Sequence, residues 1–138
     1  NTVSPNYAEQ IKTVEYGCGL DGVLKEKGKR LCGILNAIDY SVWNPKTDPF
    51  IYTNYSLKSL EDKYINKKRF QKNLGLKVSK NTLLLGMVSR LVEQKGVDIF
   101  SKSIDRLLKK YQVVVLGFGE EKYHKILKRK AYKYKDSL

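Results

Sequence analysis

Residues 83–119 read LLLGMVSRLVEQKGVDIFSKSIDRLLKKYQVVVLGFG, and this stretch decides the fold. It begins with the apolar run Leu83–Val88, which has the length of a strand. Apolar side chains then recur with helical spacing over Val97–Tyr111, and the β-branched run Gln112–Leu116 predicts a second strand. A strand, a helix and a second strand at this spacing predict a βαβ unit with parallel strands and a right-handed crossover.

Two further helices are predicted around this unit. Glu120–Tyr134 continues the alternation of strands and helices. Leu60–Leu74 also has helical spacing, and Gly75 directly after it is a natural C-cap. We expect one face of this helix to be buried, and that face carries Leu60, Tyr64, Lys67, Phe70 and Leu74. The predicted fold class is therefore α/β, with a parallel sheet.

The first part of the chain predicts shorter elements. These are a strand end at Thr2–Ser4, a short helix within Tyr7–Val14, a helical turn at Val23–Lys27 and a buried strand at Leu31–Leu35. Residues 40–55 have an irregular sequence, in which Pro45 and Pro49 disfavour helix. This stretch is the candidate connection between two domains.

The composition indicates a folded, strongly basic protein. Hydrophobic residues make up 41% of the chain, and 27 Lys and Arg against 14 Asp and Glu give a net charge of +13. Such a charge attracts nucleic acid, membrane surfaces or phosphorylated small molecules. Solvated lysine-rich faces are the alternative explanation. A nucleic-acid-binding module is one functional alternative, although no RNP, KH, zinc-finger or helix-turn-helix pattern supports it.

The sequence predicts neither a metal centre nor a membrane span. Cys18 and Cys32 have no CxxC pairing and no second histidine beside them, so a zinc site is not expected. Buried or free thiols would fit a reducing compartment, and a disulfide between them is the alternative. No segment reaches the roughly 18 apolar residues of a transmembrane helix. The N-terminal residues lack a signal-peptide pattern and an initiator Met, which suggests an internal fragment.

The loop Ser89–Gly96, between the first strand of the unit and its helix, is the strongest candidate site. Ligands of open parallel sheets bind at the carboxyl ends of the strands. Arg90 offers a planar fork of donors to phosphate oxygens, and Lys95 adds a point charge. Gly96 permits close backbone approach at a helix N-terminus. These features suit a diphosphate, whereas a surface loop with two solvated cations is the alternative.

Two other features carry weaker signals. The turn Gly117-Phe118-Gly119 follows the second strand, but a lone GxG is common after strands and is not a Walker loop. His124 is the single histidine and lies in a basic helical stretch, so we interpret it as a surface or packing residue. One histidine in this position cannot build a Ser-His-Asp triad.

Several motifs together resemble those of bacterial glycogen synthases and plant starch synthases. The chain carries NTVSPNYA over residues 1–8, GLDGVL over 19–24, GILNAID over 33–39 followed by VWNP over 42–45, and SRL with QKGVD over 89–91 and 94–98. They occur in family order and spacing from the first residue to about Gly119. The resemblance implies a GT-B fold with two Rossmann-like halves around a cleft. It implies that residues 1–38 end the N-terminal half, 39–56 connect the halves and 57–138 begin the C-terminal half.

The resemblance also implies an activity and a set of site residues. The family transfers glucose from ADP-glucose or UDP-glucose to the non-reducing end of an α-1,4-glucan with retention of configuration, without a cofactor or metal. Residues matching Arg90 and Lys95 hold the donor diphosphate, with Ser89 and Gly96 beside them. Asn36 reaches the donor site, and Gly117 borders the nucleotide. We expect a bacterial cytoplasmic enzyme, or a plastid one, with no membrane or specific nucleic-acid partner, and leave its oligomeric state open.

This chain departs from the family pattern in places. Ala37 stands where the family usually has Gly, and Phe118 stands where a small or polar residue is usual. The family's K-x-G-G-L motif, its active-site histidine and its E-x7-E motif are not in this sequence. We therefore expect this segment alone to be inactive. A non-catalytic glucan-binding or regulatory protein is the second functional alternative.

Overall fold

The computed structural model describes all 138 residues, which form two compact units, Asn1–Asn44 and Pro45–Leu138. The first unit contains β1 (Thr2–Val3), α1 (Pro5–Gln10), α2 (Asp21–Lys27) and β2 (Gly33–Ile34), with a short 3-10 turn after α2. The strand β1 pairs in parallel with β2, Thr2 opposite Gly33 and Val3 opposite Ile34. A Cβ at Gly33 would lie 2.1 Å from the carbonyl oxygen of Ser4, so only glycine fits this contact.

The predicted elements of the first unit are present, with different limits. The helix α1 starts at Pro5, where proline suits the first helical position, and ends before Val14. The predicted buried strand Leu31–Leu35 is wrong in length and burial, since Ile34 and Leu35 are 57% and 70% exposed. The physical reason is that β2 pairs only with β1, in a two-stranded sheet. The buried apolar side chains of the unit are Ala8 and Ile11.

The second unit has the predicted alternation of helices and strands. Its elements are α3 (Asp62–Asn73), β3 (Leu84–Val88), α4 (Val97–Leu107), β4 (Gln112–Leu116) and α5 (Glu121–Lys133). The strands β3 and β4 are parallel, with Leu84 opposite Gln112 and Val88 opposite Leu116. The α/β class with parallel strands is therefore confirmed.

The core of the second unit lies between the sheet, α4 and α5. Ile104 of α4 is fully buried and packs in one cluster with Val113 of β4 and Tyr123 of α5. The cluster is completed by Leu91, Val97, Leu108 and Leu127. On the apolar face predicted for α4, Ile104 and Leu108 are buried, and Phe100, Leu107 and Tyr111 are half-buried. The helix ends at Leu107, and Leu108 packs from the following turn. This packing fixes α4, and with it the loop that precedes α4.

The helix α3 differs from the sequence expectation in the face that it buries. Leu60, Phe70 and Leu74 are 41–54% exposed, so the predicted apolar face is largely open. The fully buried side chain is Gln71, whose amide donates to Ser79 O at 3.2 Å and to Gln112 Oε1 at 2.5 Å. On the buried side of α3, hydrogen bonds from Gln71 therefore replace apolar packing. Their acceptors lie in the segment before β3 and in β4.

The two cysteines and Gly75 lie outside the core of either unit. Cys18 and Cys32 are both free and exposed, so the disulfide alternative is not seen and the thiols are not buried. Gly75 has a φ of +71° directly after α3, which is the left-handed conformation expected of a glycine C-cap. Among the helices of the structure, none combines the length and the apolar character needed to cross a bilayer.

Candidate functional site

The loops that follow β3 and β4 lie side by side at the carboxyl edge of the sheet. Backbone hydrogen bonds continue beyond the strands: Ser89 N–H donates to Leu116 O at 3.1 Å, and Leu91 N–H donates to Phe118 O at 2.9 Å. A third bond runs from Glu120 N–H to Leu91 O at 2.9 Å. The two loops that the sequence singled out therefore form one paired ribbon at the edge where open parallel sheets bind ligands.

The glycines of the GFG turn are required by this pairing. A Cβ at Gly117 would lie 2.1 Å from Ser89 O, and a Cβ at Gly119 would lie 2.3 Å from Leu91 O. Neither glycine has a positive φ, so close approach of the backbones is the reason for glycine here. The turn was a weak signal in the sequence because this tertiary contact is invisible in a GxG pattern.

Arg90 and Phe118 lie opposite each other in the ribbon. The register that places Val88 opposite Leu116 also places Leu91 opposite Gly119, so Arg90 falls opposite Phe118. Leu91 is 2% exposed and anchors the ribbon in the core, whereas Arg90 is exposed and Phe118 is 84% exposed. Two exposed side chains, one cationic and one aromatic, therefore stand at the same register position of the ribbon.

Lys95 and Gly96 form the junction between the loop and α4. Glu93–Lys95 makes a 3-10 turn, closed by a 2.8 Å hydrogen bond from Gly96 N–H to Glu93 O. Gly96 is the N-cap residue of α4, with φ +70° and ψ 20°, a conformation that favours glycine. No side chain caps this helix, so its first N–H groups and the positive end of its dipole are available to an anion. Lys95 is exposed beside them.

Both cations of the site lack a carboxylate partner. The ion pairs of the structure are Lys12–Glu9, Lys122–Glu120, Lys125–Glu121 and Lys130–Asp105, so neither Arg90 nor Lys95 takes part in one. Glu120, next to the GFG turn, is 2.8 Å from Lys122, and its hydrogen bond raises the pKa of that lysine. The carboxylate of Glu120 is thus paired with Lys122. Arg90 and Lys95 remain available to an external anion.

The six predicted site residues divide between the two units. Ser89, Arg90, Lys95, Gly96 and Gly117 all belong to the second unit, in the ribbon or at its junction with α4. The Ser89 hydroxyl donates locally to Arg90 O at 3.0 Å. Asn36 belongs to the first unit, where it is exposed beyond β2. The roles of all six remain predictions.

His124 is half-buried near the start of α5, which fits the prediction of a surface or packing residue. Its ring lies 5.9 Å from the ring of Phe118, and its Nε2 is buried without a hydrogen-bond partner. It lines a mostly apolar cavity of about 320 Å³ that Leu91, Gly117 and Leu127 also line. A larger space of about 850 Å³ lies elsewhere in the unit, between residues 50–55, α3 and the start of β3. Neither space is lined by Arg90 or Lys95, so the candidate anion site is an open edge rather than an enclosed cavity.

Comparisons with known proteins agree with one another. The model of the starch synthase catalytic domain family matches residues 1–26. The glycogen synthase of Thermotoga maritima is 50% identical over 100% of this chain, and that of Clostridium beijerinckii is 52% identical over 92% of it. The catalytic domain of Starch Synthase IV from Arabidopsis thaliana, bound to ADP and acarbose, superposes with a TM-score of 0.89 at 37% identity, covering 98% of this chain. The chain spans 29% of the Thermotoga protein, 27% of the Clostridium protein and 28% of the Arabidopsis structure.

Proposed function

Because this chain is a relative of the glycogen and starch synthases along its whole length, we propose that the full-length protein is a retaining hexosyltransferase. It transfers glucose from ADP-glucose or UDP-glucose to the non-reducing end of an α-1,4-glucan. The support is 50% identity to a glycogen synthase over the whole chain, together with a structural relative that binds ADP. ADP-glucose is the preferred donor in this proposal, because the nucleotide of that relative is ADP.

The segment described here supplies the clamp for the donor diphosphate. The observation that carries this assignment is that Arg90 and Lys95, both without a carboxylate partner, lie in the loop from β3 to α4 at the carboxyl edge of a parallel sheet, with Lys95 beside the N-cap of α4. Arg90 binds phosphate oxygens through its planar fork, and Lys95 and the helix N-terminus add positive charge. Ser89, Gly96 and Gly117 line the same edge and let the diphosphate approach the backbone.

The clamp contributes to catalysis by stabilising the leaving group. During transfer the bond between the anomeric carbon and the diphosphate oxygen breaks, and a bond from that carbon to the 4-oxygen of the glucan forms. The departing nucleoside diphosphate takes the electron pair of the broken bond, and the proton of the 4-hydroxyl passes to the diphosphate or to solvent. Because negative charge grows on the diphosphate as the bond opens, positioned cations stabilise the transition state more than the bound substrate.

The domain organisation belongs to the same proposal. Residues 1–38 end an N-terminal, acceptor-side half, 39–56 connect the halves, and 57–138 begin the nucleotide-sugar-binding half of a GT-B enzyme. Asn36 reaches the donor site from the connecting side. The bacterial relatives favour a cytoplasmic enzyme over a plastid one. The net charge of +13 is assigned to lysine-rich solvated faces and to binding of the anionic donor, with no specific nucleic-acid partner.

The test follows radiolabelled glucose from ADP-glucose, and separately from UDP-glucose, into glycogen with the full-length protein. We expect incorporation that a glucan hydrolase specific for α-1,4 linkages releases again. Binding to glycogen with no incorporation from either donor would replace the proposal with the glucan-binding alternative. Retention on RNA or DNA with a defined site size at about 0.15 M salt would favour the nucleic-acid alternative, whereas weak binding with a steep salt dependence would reflect charge alone.

A further inference from the structure

Ser4, directly after β1, has a backbone conformation that is rare for any residue except glycine. Its φ is +79° and its ψ is 129°, and Cys18 is the one other non-glycine residue with a positive φ. The ψ value suits a residue before proline, but the positive φ strains a residue that carries a Cβ. Strained backbone of this kind lowers stability and is concentrated at binding and catalytic sites. Ser4 is therefore a candidate for a role beyond folding.

Contacts with β2 and α1 hold Ser4 in this conformation. Its N–H donates to Ile34 O at 3.0 Å, and its carbonyl oxygen accepts a 3.1 Å bond from Ala8 N–H. The same carbonyl oxygen lies against Gly33, where a Cβ would be 2.1 Å away from it. All of these contacts use backbone atoms of Ser4, so a glycine at position 4 would keep them and relieve the strain. The fold therefore accounts for the conformation but not for the serine side chain.

The hydroxyl of Ser4 is not used within the fold. Serine is among the residues preferred at a helix N-cap, because its oxygen accepts a hydrogen bond from the first turn. Ser4 is the N-cap residue of α1, yet its side chain makes no such bond. The residue is half-buried, and no hydrogen bond of the structure involves its hydroxyl. A bound ligand would account for a serine that folding alone does not require.

The surroundings of Ser4 indicate the chemistry of this ligand. Ser4 follows β1 directly and Asn36 follows β2 by two residues, so both lie beyond the carboxyl ends of two paired parallel strands. Ligands of open parallel sheets bind at this edge. A hydroxyl and an amide are uncharged, and each can both donate and accept a hydrogen bond. The two side chains therefore suit the hydroxyl groups of a sugar rather than a phosphate.

We propose that the Ser4 hydroxyl binds a hydroxyl group of a glucosyl residue, beside Asn36. This inference rests on the proposed function, which supplies the two ligands that carry such a residue. They are the sugar nucleotide and the non-reducing end of the glucan, and they share this chemistry. Loss of one hydrogen bond of this kind lowers affinity by about 3- to 10-fold.

Steady-state kinetics of the full-length protein, with ADP-glucose and maltoheptaose as substrates, test the contact. The variants are Ser4→Gly, which removes the hydroxyl and the strain, and Ser4→Ala, which removes the hydroxyl alone. We expect both to lower kcat/KM about 3- to 10-fold, while the Tm of Ser4→Gly is not lower than that of wild type. The substrate whose kcat/KM falls more is the one that the hydroxyl binds.

Two controls separate the hydroxyl from the backbone. Cys18→Gly relieves the other positive φ without removing a hydroxyl, and it should keep the wild-type kcat/KM. ADP has no glucosyl residue, so its affinity in calorimetric titration should change less than about twofold in both Ser4 variants.

Three outcomes would overturn the inference. Wild-type kcat/KM for both substrates in either Ser4 variant would show that the hydroxyl binds neither. An equal loss in Cys18→Gly would show that relief of backbone strain is the cause, and an equal loss of ADP affinity would place the effect away from the glucosyl residue. In each of these cases a fall in kcat/KM in Lys95→Ala would leave the proposed function standing. No glucose incorporation by the wild-type protein would overturn both.

Discussion

The backbone N–H of Leu91 donates a 2.9 Å hydrogen bond to the carbonyl oxygen of Phe118, beyond the last residues of both strands. Leu91 is 2% exposed and belongs to the core cluster, so this bond ties the exposed GFG turn to the most buried part of the unit. The bond also keeps Arg90 opposite Phe118. The geometry of the candidate diphosphate site therefore depends on a backbone pairing as much as on the two cations.

We predict that Gly119→Ala weakens donor binding and lowers stability together. The added Cβ would lie 2.3 Å from Leu91 O and 2.6 Å from Leu91 C, and these backbone atoms cannot rotate away. Overpacking of this kind costs about 1–3 kcal/mol and shifts the backbone that carries Arg90. Urea unfolding and ADP titration of the full-length protein measure the two effects.

Gly86→Ala is the matched control for this substitution. Gly86 lies within β3, has no positive φ, and an added Cβ has no atom within 4 Å. We expect wild-type ADP affinity and no loss of stability, since replacing a strand glycine by alanine raises the unfolding free energy by up to about 1 kcal/mol. Equal effects of the two substitutions would show that the pairing of the loops is unimportant for the site.

The fold of the second unit was predictable because its signals are local. Apolar periodicity and β-branched runs gave the order of elements over residues 83–134 and the parallel pairing of β3 and β4. The ends of α4 and the burial of α3 were not predictable in this way. Gln71 is buried because Ser79 and Gln112 bond to its amide, and Gln112 is 41 residues away in the chain. A helical pattern of apolar residues cannot reveal such a partner.

The candidate site was predictable in part, for a similar reason. Arg90 and Lys95 stand in a motif whose position after a strand is readable from sequence. The reason for the glycines at 117 and 119 is a contact with the other loop, which becomes visible only in three dimensions. Phe118 stands in the sequence as a departure from a family pattern, and only the register of the two loops shows that it lies opposite Arg90.

The buried amide pair provides a prediction about stability. Gln71→Leu removes the partner of Gln112 Oε1 and of the Ser79 N–H, which donates to Gln71 Oε1 at 3.3 Å. A buried polar group without a hydrogen-bond partner destabilises the fold by about 1–3 kcal/mol. We therefore expect urea unfolding to show a fall of that size in the unfolding free energy. Lys72, the exposed neighbour of Gln71, provides the control. We expect Lys72→Leu to lower the unfolding free energy by less than about 0.5 kcal/mol.

A double-mutant cycle separates this pair from its surroundings. Gln112 also donates to Lys77 O at 2.6 Å and to Asp136 O at 3.2 Å, so Gln112→Leu is destabilising for additional reasons. Each single substitution removes the Gln71–Gln112 bond, so the sum of the two losses in unfolding free energy counts that bond twice. We therefore expect the unfolding free energy of the double variant to fall by about 0.5–3 kcal/mol less than this sum. Strict additivity would contradict a direct coupling between the two amides.

The pair between Asp105 of α4 and Lys130 of α5 provides a pH-dependent prediction. The hydrogen bond from Lys130 lowers the pKa of Asp105, with a smaller contribution from Tyr134, against partial desolvation. A lowered pKa means that the stabilisation is fully present above the unfolded value of about 4 and is lost as the pH falls through the folded value. Asp105→Asn should therefore lower Tm at pH 7, and its difference from wild type should shrink as the pH falls below about 4 and vanish below the lowered folded pKa.

The control for this pair is an ion pair exposed to solvent. Glu121 and Lys125 are 79% and 74% exposed, and such pairs contribute little to stability. Glu121→Gln should change Tm by less than about 1 °C at either pH. A Tm difference between Asp105→Asn and wild type that persists unchanged at pH 3 would show that the carboxylate charge is not the stabilising feature.

We propose that Arg90 and Lys95 hold the diphosphate of the donor during glucosyl transfer. The most direct measurement is kcat/KM for glucose incorporation into glycogen from ADP-glucose, with full-length wild type, Arg90→Ala and Lys95→Ala. Arg106→Ala and Lys102→Ala, exposed cations of α4 without a carboxylate partner, are the matched controls. We predict that kcat/KM falls about 100-fold or more in Arg90→Ala and in Lys95→Ala, and changes less than about twofold in each control. Wild-type kcat/KM in both clamp variants would contradict the assignment.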